Sequence, residues 1–453
     1  MNSLEANGIS DSKRLQGRSL IGFSVLGGIV VSDQLLIPML HIGGIPYKIS
    51  YFIVAFWFLS YLIIPSKTIT SSLDRRDFMI FSSAIAIICF CGILGDFFVT
   101  IFTHIESYSQ SYFSYTIYLF AIFSFGFGFS AKKFNYKWLI YMLLFSAIVN
   151  LLFIFFKSNL PGWLVNFYFP PRAIENLASL GIDSVEDILE LARPRGMFNN
   201  PNGSALMLNI IALFICVAMR KGLLVVKNRV IGILIIVLPL FVCILLASRG
   251  EILVALILGY LNYKAIFTSV GFTKKVMYFA ISIVVIMGVF SLVLNRIDSD
   301  GNFLNSINRA YSIFEVLNNS SNAALDGYEQ RNQGVSRPLL MFETAYDRFL
   351  YSPLFGTGFN IGPNYPFDHG TQFFHNDWFR LLITGGIISF LVLIYIIRKF
   401  CIPISFILLL PFILPGLVNT FLLNIPVVMF YFFMVANMRS HLREQTLTIE
   451  EKR

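Results

Sequence analysis

The chain has 453 residues, of which 56% are hydrophobic and only 13% are charged, with a formal net charge of +9. Soluble domains carry about 25% charged residues, so a soluble protein this poor in charge could not cover its surface. The composition excludes an ordinary soluble enzyme, and the apolar excess predicts a chain embedded in lipid. The five Cys lie in or beside apolar runs without metal-ligand spacing, which argues against a zinc site.

Apolar runs recur along the whole chain, and twelve of them can form membrane-spanning helices. Crossing the hydrocarbon core, ~30 Å thick, takes about 20 residues. We therefore predict an all-α integral membrane protein with about 12 transmembrane helices. The first run is too long for a signal sequence, so we interpret it as a retained helix. The predicted spans are 19–40, 47–65, 78–102, 113–131, 138–156, 203–219, 230–247, 251–268, 277–295, 376–397, 400–419 and 422–438.

The distribution of basic residues predicts the orientation. With both termini on one side, that side holds 22 of the 34 Lys and Arg, all in short loops or tails. Positive charge in short loops marks the cytoplasm, so both termini are predicted to be cytoplasmic and the net charge needs no nucleic acid to explain it. Of the 12 basic residues on the outer side only two are Lys; the other ten are Arg, whose guanidinium can bind phosphate through two parallel hydrogen bonds.

Two outer segments are too long to be simple connections, and ordered loops of this length are usually functional. The first contains a capping-box pattern, Asp183 followed by Glu186, that predicts a short amphipathic helix. The predicted organisation is a five-helix region, the first outer loop, a central four-helix region, the large outer loop, a three-helix region and a cytoplasmic tail, over residues 1–156, 157–202, 203–295, 296–375, 376–438 and 439–453.

Arginines cluster where predicted helices reach the outer side. Arg193 and Arg195 precede the sixth predicted helix, Arg249 lies in the tight turn before the eighth, and Arg337 lies in the second long loop. The N-terminus of a helix favours anions, so these positions suit a phosphate group. The alternative is a set of interfacial turns whose Arg side chains reach lipid headgroups.

A histidine stands at the entry of the tenth predicted helix. His375 is followed by Asn376 and Asp377, and the second long loop delivers all three to the membrane edge. Histidine is the side chain best matched to proton transfer near neutral pH, although a lone histidine is usually structural. Asp33 and Asp96, near the outer ends of two predicted helices, are further candidates because ionisable groups within a membrane are often functional.

The chain resembles the O-antigen polymerase/O-antigen ligase family of bacterial envelope glycosyltransferases in four segments. Residues 193–202 resemble its Arg-x-x-Gly-x-Phe-x-Asn-Pro-Asn signature, and residues 248–250 resemble its Ser-Arg-Gly turn. Residues 337–358 resemble its Arg…Pro-x-x-Gly-x-Gly stretch, and residues 375–386 resemble its His-Asn…Leu…Gly helix entry. Each motif alone is weak, but four in this order on the same predicted side are fairly specific.

The resemblance implies an enzyme of the bacterial inner membrane whose active site faces the periplasm, so that both long loops are periplasmic. The donor is a glycan on undecaprenyl pyrophosphate, the acceptor is a sugar hydroxyl, and the lipid pyrophosphate is released. No cofactor, metal or nucleic acid is implied; a chain-length regulator is a candidate partner. We assign His375 as the base, Arg193, Arg249, Arg337 and Arg195 to pyrophosphate binding, and Asn376, Asp377 and Asn202 to glycan binding or orientation.

Three functional hypotheses remain: a polymerase, a ligase and a transporter. Residues 296–374 contain five Arg and eight Asp or Glu, and residues 157–202 contain four basic and five acidic residues. The net charges of −3 and −1 favour a polymerase over a ligase, whose lipid A-core acceptor is heavily phosphorylated and suits a basic surface. A transporter of two parallel six-helix halves would show a repeated pattern, which the sequence lacks.

Replacing the predicted base gives the first prediction. His375→Ala should abolish glycan chain extension because the acceptor hydroxyl then has no group to take its proton. The measurement is the glycan ladder of cells expressing the variant, with membrane extracts confirming that the protein is present. A wild-type ladder would refute the assignment of His375.

Overall fold

The computed structural model is mainly helical, in agreement with the predicted class. A short two-stranded ladder of β1 (Leu40–Ile42) and β2 (Ile45–Tyr47) lies between the first two predicted spans, which the all-α prediction did not include. The sequence Gly43-Gly44 between the strands is a hairpin signal that a scan for apolar runs does not detect. The structure describes residues 23–30, 40–42, 45–47, 52, 56, 71–103, 111–131, 134–156, 201–246, 248–267, 346, 349–358, 377–414, 421–422 and 424–450.

Eight of the following helices coincide with the third to eighth, the tenth and the twelfth predicted spans, and the remaining single turn lies in the eleventh. The helices are α1 (Ser72–Thr103), α2 (Ser111–Ser130), α3 (Lys137–Phe156), α4 (Pro201–Arg220), α5 (Arg229–Leu245), α6 (Arg249–Ile266), α7 (Asp377–Ile396), α8 (Leu410–Ile413) and α9 (Ile425–Glu450).

Within the described residues, four helices are long and apolar enough to cross a membrane. These are Ser72–Phe98, Asn202–Arg220, Asp377–Cys401 and Ile425–Leu447. The ninth predicted span and almost all of the second lie outside the described residues. The total of about 12 spans and the orientation in the membrane therefore stay predictions.

Helices α1, α2, α7, α8 and α9 belong to the first of two compact units, which comprises Met1–Ile29, His41–Asn135 and Asn332–Arg453. Its core is aromatic: Phe81 stacks on Phe125 with ring centroids 4.0 Å apart and tilts against Phe432 at 5.0 Å. Helix α1 in turn exposes large apolar side chains such as Phe90 and Phe97, as expected of a face that contacts lipid.

An ion-pair cluster joins the start of α1 to α9. Arg439 binds Asp77 at 2.5 Å, while Arg443 binds Asp74 at 3.2 Å and also pairs with Asp77. Both carboxylates are buried, so each charge depends on its partner. The cluster places residues 74–77 and 439–443 at the same end of the unit, as the predicted topology requires. The two arginines of the cluster lie in the predicted cytoplasmic tail. Helix α9 continues through this region to Glu450 instead of ending near residue 438.

The eleventh predicted span is not a continuous helix. The π-helical turn Ile397–Cys401 follows α7, and a 3-10 turn, Phe406–Leu409, precedes the single turn of α8. Pro403 and Pro411 lack the N–H that a continuous helix needs, which explains the interruption. Two backbone carbonyls of this irregular region accept from side chains instead: Tyr431 donates to Leu408 O at 2.6 Å and Trp378 donates to Phe412 O at 2.7 Å.

Helices α3, α4, α5 and α6 belong to the second unit, which comprises Val30–Leu40 and Tyr136–Arg331. Helix α4 is its central element, because it packs against the other three and is buried along almost its entire length. Its side chains are mainly small or aliphatic, but Asn202 and Asn209 interrupt the apolar pattern. Polar groups inside a membrane bundle need internal partners, and those partners define the candidate site below.

The ion-pair cluster predicts a stability effect. Asp77→Asn should lower the free energy of unfolding by about 2–3 kcal/mol, because it leaves two guanidinium groups with one carboxylate. Thermal unfolding of the purified protein in detergent is the measurement. Arg76→Gln changes an exposed charge one residue away and is the control. Equal melting temperatures for the two variants would contradict the importance of the cluster.

Candidate functional site

The structure describes only part of the predicted site. Asn202 and Asp377 are described with their side chains, and the backbone of Arg249 begins helix α6. The remaining predicted site residues, Arg193, Arg195, Arg337, His375 and Asn376, lie outside the described residues. Their roles therefore stay predictions.

Two of the segments that resemble the family, residues 193–202 and 248–250, are in contact in the second unit through Asn202 and Ser248. Ser248, the residue before α6, donates a hydrogen bond from its hydroxyl to Asn202 Oδ1 at 2.9 Å. Ser248 belongs to the Ser-Arg-Gly turn and Asn202 ends the Arg-x-x-Gly signature, 46 residues earlier. The resemblance predicts that both segments contribute to one site, and this bond brings their ends into contact.

Two turns further along α4, Asn209 makes a second polar contact, which the sequence did not predict. Asn209 Nδ2 donates to Glu251 Oε2 at 2.8 Å and to the backbone carbonyl of Glu251 at 2.9 Å. Both residues are completely buried. Glu251 is the single acidic residue between 221 and 267, and a lone carboxyl at the start of a predicted span is the signal that could have identified it.

The other two family-like segments meet in the first unit, where helix α7 is broken. Gly386 has φ 68° and ψ −172°, so α7 consists of two helical parts that meet at this residue. Residues 352–358, which we call the inserted segment, run beside the break. Thr357 N donates to Ile383 O at 2.7 Å and Gly358 N donates to Thr384 O at 3.1 Å.

The second half of α7 also forms hydrogen bonds to the inserted segment, with the direction of donation reversed. The N–H of Ile387 donates to Pro353 O at 2.9 Å and the N–H of Ile388 donates to Leu354 O at 3.4 Å. The inserted segment thus supplies acceptors to one half of α7 and donors to the other. Irregular backbone is tolerated at membrane depth only when protein groups satisfy it in this manner.

Glycine is required at two positions of this arrangement. A Cβ on Gly386 would lie 2.2 Å from Leu354 O, and a Cβ on Gly358, whose φ is 85°, would lie 2.0 Å from Asp96 Oδ1. Both residues also have positive φ, which other residues adopt at a cost. Gly358 belongs to the Gly356-x-Gly358 pair, in which both glycines have positive φ and lie close to neighbouring groups, so the pair is a close-approach turn. Asp96, a candidate from the sequence, lies against this turn and accepts a hydrogen bond from the Tyr115 hydroxyl at 3.1 Å.

The start of α7, two residues after His375, is anchored by buried polar groups. Asp377 is buried, and its Oδ2 accepts from the N–H of Leu422 at 2.9 Å. Trp378 donates to Phe412 O from the next position. These contacts favour an orienting role for Asp377 over direct glycan contact. Arg380, also buried, lies one turn later within electrostatic range of Asp377 and Tyr118.

No group of three or more His, Cys, Asp or Glu within reach of one ion occurs among the described residues. Independence from metal stays a prediction. The described geometry instead fixes two helix starts, that of α6 at Arg249 and that of α7 at Asp377. The first start is Arg249 itself, and the second lies two residues after His375 in the sequence. The N-terminal N–H groups of a helix favour anions.

The break in α7 predicts that adding one methyl group at Gly386 lowers the stability of the protein. Gly386→Ala should cost roughly 3 kcal/mol of stability, because alanine must adopt a strained backbone while its Cβ meets Leu354 O. Thermal unfolding and glycan ladders report the loss. Gly259→Ala, whose Cβ would meet its nearest atom at an ordinary 3.6 Å, is the matched control. Normal stability of Gly386→Ala would show that the break is not required.

Comparison with known proteins finds one similarity, in the central and C-terminal part of the chain. Residues 234–394 match a family model described as O-antigen ligase. No curated protein and no solved structure matches the chain. The matched range contains Ser248, Glu251, the inserted segment and both halves of α7, whereas the segment 193–202 precedes it. The predicted resemblance is confirmed over residues 234–394, where the chain is similar to the O-antigen ligase family.

Proposed function

We propose that this protein polymerises oligosaccharide repeat units carried on undecaprenyl pyrophosphate, on the periplasmic face of the bacterial inner membrane. The observation that carries the proposal is the anchoring of two helix starts by buried hydrogen bonds, one beside Arg249 and one beside His375. The family match supports a glycan-transferring enzyme that uses lipid-linked glycans. It also argues against the transporter, because transport would need neither the four segments nor their pairwise contacts.

In the proposed reaction the acceptor hydroxyl oxygen attacks the anomeric carbon of the donor glycan. His375 takes the hydroxyl proton. The bond between the anomeric carbon and the pyrophosphate oxygen breaks, and undecaprenyl pyrophosphate leaves with the electron pair. Arg193 and Arg249 bind the pyrophosphate first, and Arg337 and Arg195 assist, because guanidinium groups stabilise the charge that develops on the leaving group.

Asn202, Asn376 and Asp377 orient the reactants around this centre. Asn202 Oδ1 accepts a hydrogen bond from Ser248, which holds the amide beside the start of α6. Asp377 acts through the helix start that it anchors to Leu422. The donor already carries its activation energy in the pyrophosphate bond, so the protein contributes positioning and electrostatic stabilisation and needs no nucleotide sugar.

A ligase is the second candidate, because the matched family model is described as O-antigen ligase. The charges of the two long loops favour the polymerase. A surface of net charge −3 over residues 296–374 is poorly suited to the phosphate-rich lipid A-core that a ligase must bind. A repeat unit on a second carrier, whose sugars are the part presented to the loops, does not impose that demand.

Deleting the gene separates the two candidates. Loss of a polymerase should leave lipid A-core carrying single repeat units, because a separate ligase still transfers what the carrier holds. Surface lipopolysaccharide on gels and carrier-linked glycan in membrane extracts are the measurements. Restoration by the wild-type gene but not by the His375→Ala gene is the control. Bare core with long polymer left on the carrier would contradict the polymerase and identify a ligase.

A further inference from the structure

We propose that Asn209 and Glu251 are positioning residues that fix the backbone of Arg249 for pyrophosphate binding. Nothing in the family match or the sequence resemblance assigns a role to either residue. The inference deepens the proposed function and rests on it, because it concerns how the predicted pyrophosphate-binding arginine is held. Neither residue is proposed to touch the substrate.

The spacing of two asparagines on α4 places them beside the start of α6. Asn202 and Asn209 are seven residues apart, which places them on the same helical face two turns apart. That face meets the start of α6 at two points, Ser248 and Glu251. Arg249 lies between them, so the residue predicted to bind pyrophosphate is bracketed by the two contacts.

Asn209 is itself held in one orientation. Its Nδ2 makes two hydrogen bonds to Glu251, one to the side chain and one to the backbone carbonyl. Its Oδ1 faces Cys243 Sγ at 3.9 Å, on the last turn of α5. With both ends of the amide engaged, the group cannot rotate without losing a partner. The N–H of Ser248 donates to Cys243 O at 3.2 Å, which joins α5 to the same turn.

The carboxyl of Glu251 is an unusual group for this location. It is completely buried in the first turn of α6, where a negative charge is favoured by the helix dipole. Its Oε1 has no hydrogen-bond partner among the described residues. Burying a carboxyl with one unsatisfied oxygen costs stability, so its presence at this position points to a role beyond packing.

Asn262 provides a matched control within the same two helices. It lies on α6, is completely buried and donates from Nδ2 to Ala212 O on α4 at 3.4 Å. It is eleven residues from Glu251, about three helical turns further along α6. Asn262→Ala therefore removes a buried hydrogen bond between α4 and α6 far from Arg249. A purely structural role predicts the same effect for Asn209→Ala and Asn262→Ala.

The test measures binding of undecaprenyl pyrophosphate to the purified full-length protein in lipid nanodiscs. Asn209→Ala and Glu251→Ala should weaken binding about tenfold, since a misplaced guanidinium loses its two-point contact. Glu251→Gln should recover binding relative to Glu251→Ala, because glutamine still accepts from Asn209. Asn262→Ala should bind as wild type, although it also removes a buried hydrogen bond between α4 and α6.

A double-mutant cycle then tests whether Asn209 acts through Arg249. If it does, Asn209→Ala should weaken binding in the wild-type background and have little further effect in an Arg249→Lys background. Additive losses, or an equal loss in Asn262→Ala, would overturn the positioning role while leaving the proposed function intact. Failure of the wild-type protein to bind undecaprenyl pyrophosphate would overturn both, and so distinguishes the two failures.

Discussion

The arrangement of the first unit depends on pairing the backbone groups that the break in α7 sets free. Inside a membrane a carbonyl or N–H without a partner costs several kcal/mol, so a break can persist only if another part of the chain satisfies it. The inserted segment does so on both sides, through Thr357 and Gly358 on one and Pro353 and Leu354 on the other. The large loop is thereby joined to the helix whose entry carries His375.

The second unit applies the same principle to side chains. Its central helix is almost wholly apolar, and the asparagines that interrupt it bind the start of α6 instead of facing lipid. Hydrogen bonds are directional, so inside an apolar bundle they hold one geometry more rigidly than apolar contacts do. In the proposed reaction the protein must stabilise charge on a leaving pyrophosphate without reorganising, and a rigid helix start suits that requirement.

Hydrophobic run length predicted most of the helices, because the pattern that inserts a helix in lipid is a property of its own residues. The run could not predict the break at Gly386, since the apolar pattern continues through it and only the approach of Leu354 explains it. Pro403 and Pro411 likewise lie in an apolar run whose interruption depends on donors from Tyr431 and Trp378. The continuation of α9 past its apolar part depends on Asp74 and Asp77, more than 300 residues away in sequence.

The motifs predicted which segments of the chain come into contact. They did not predict which residues form the contacts. Ser248 and Asn202 lie in two of the motifs, but the hydrogen bond between them was not predictable because both side chains could equally have faced the solvent. Glu251 is the first residue of the eighth predicted span, since run length treats a single charge at a helix end as a boundary. Its partner Asn209 lies on another helix, and a single sequence contains no information on that pairing.

The central claim is that this protein forms glycosidic bonds between carrier-linked repeat units. The most direct measurement incubates the purified protein in nanodiscs with undecaprenyl-pyrophosphate-linked repeat units alone and follows both products. We expect glycans longer than one unit on the carrier and one free undecaprenyl pyrophosphate released for each bond formed. Consumption of the donor only after lipid A-core is added, or no glycan product at all, would contradict it.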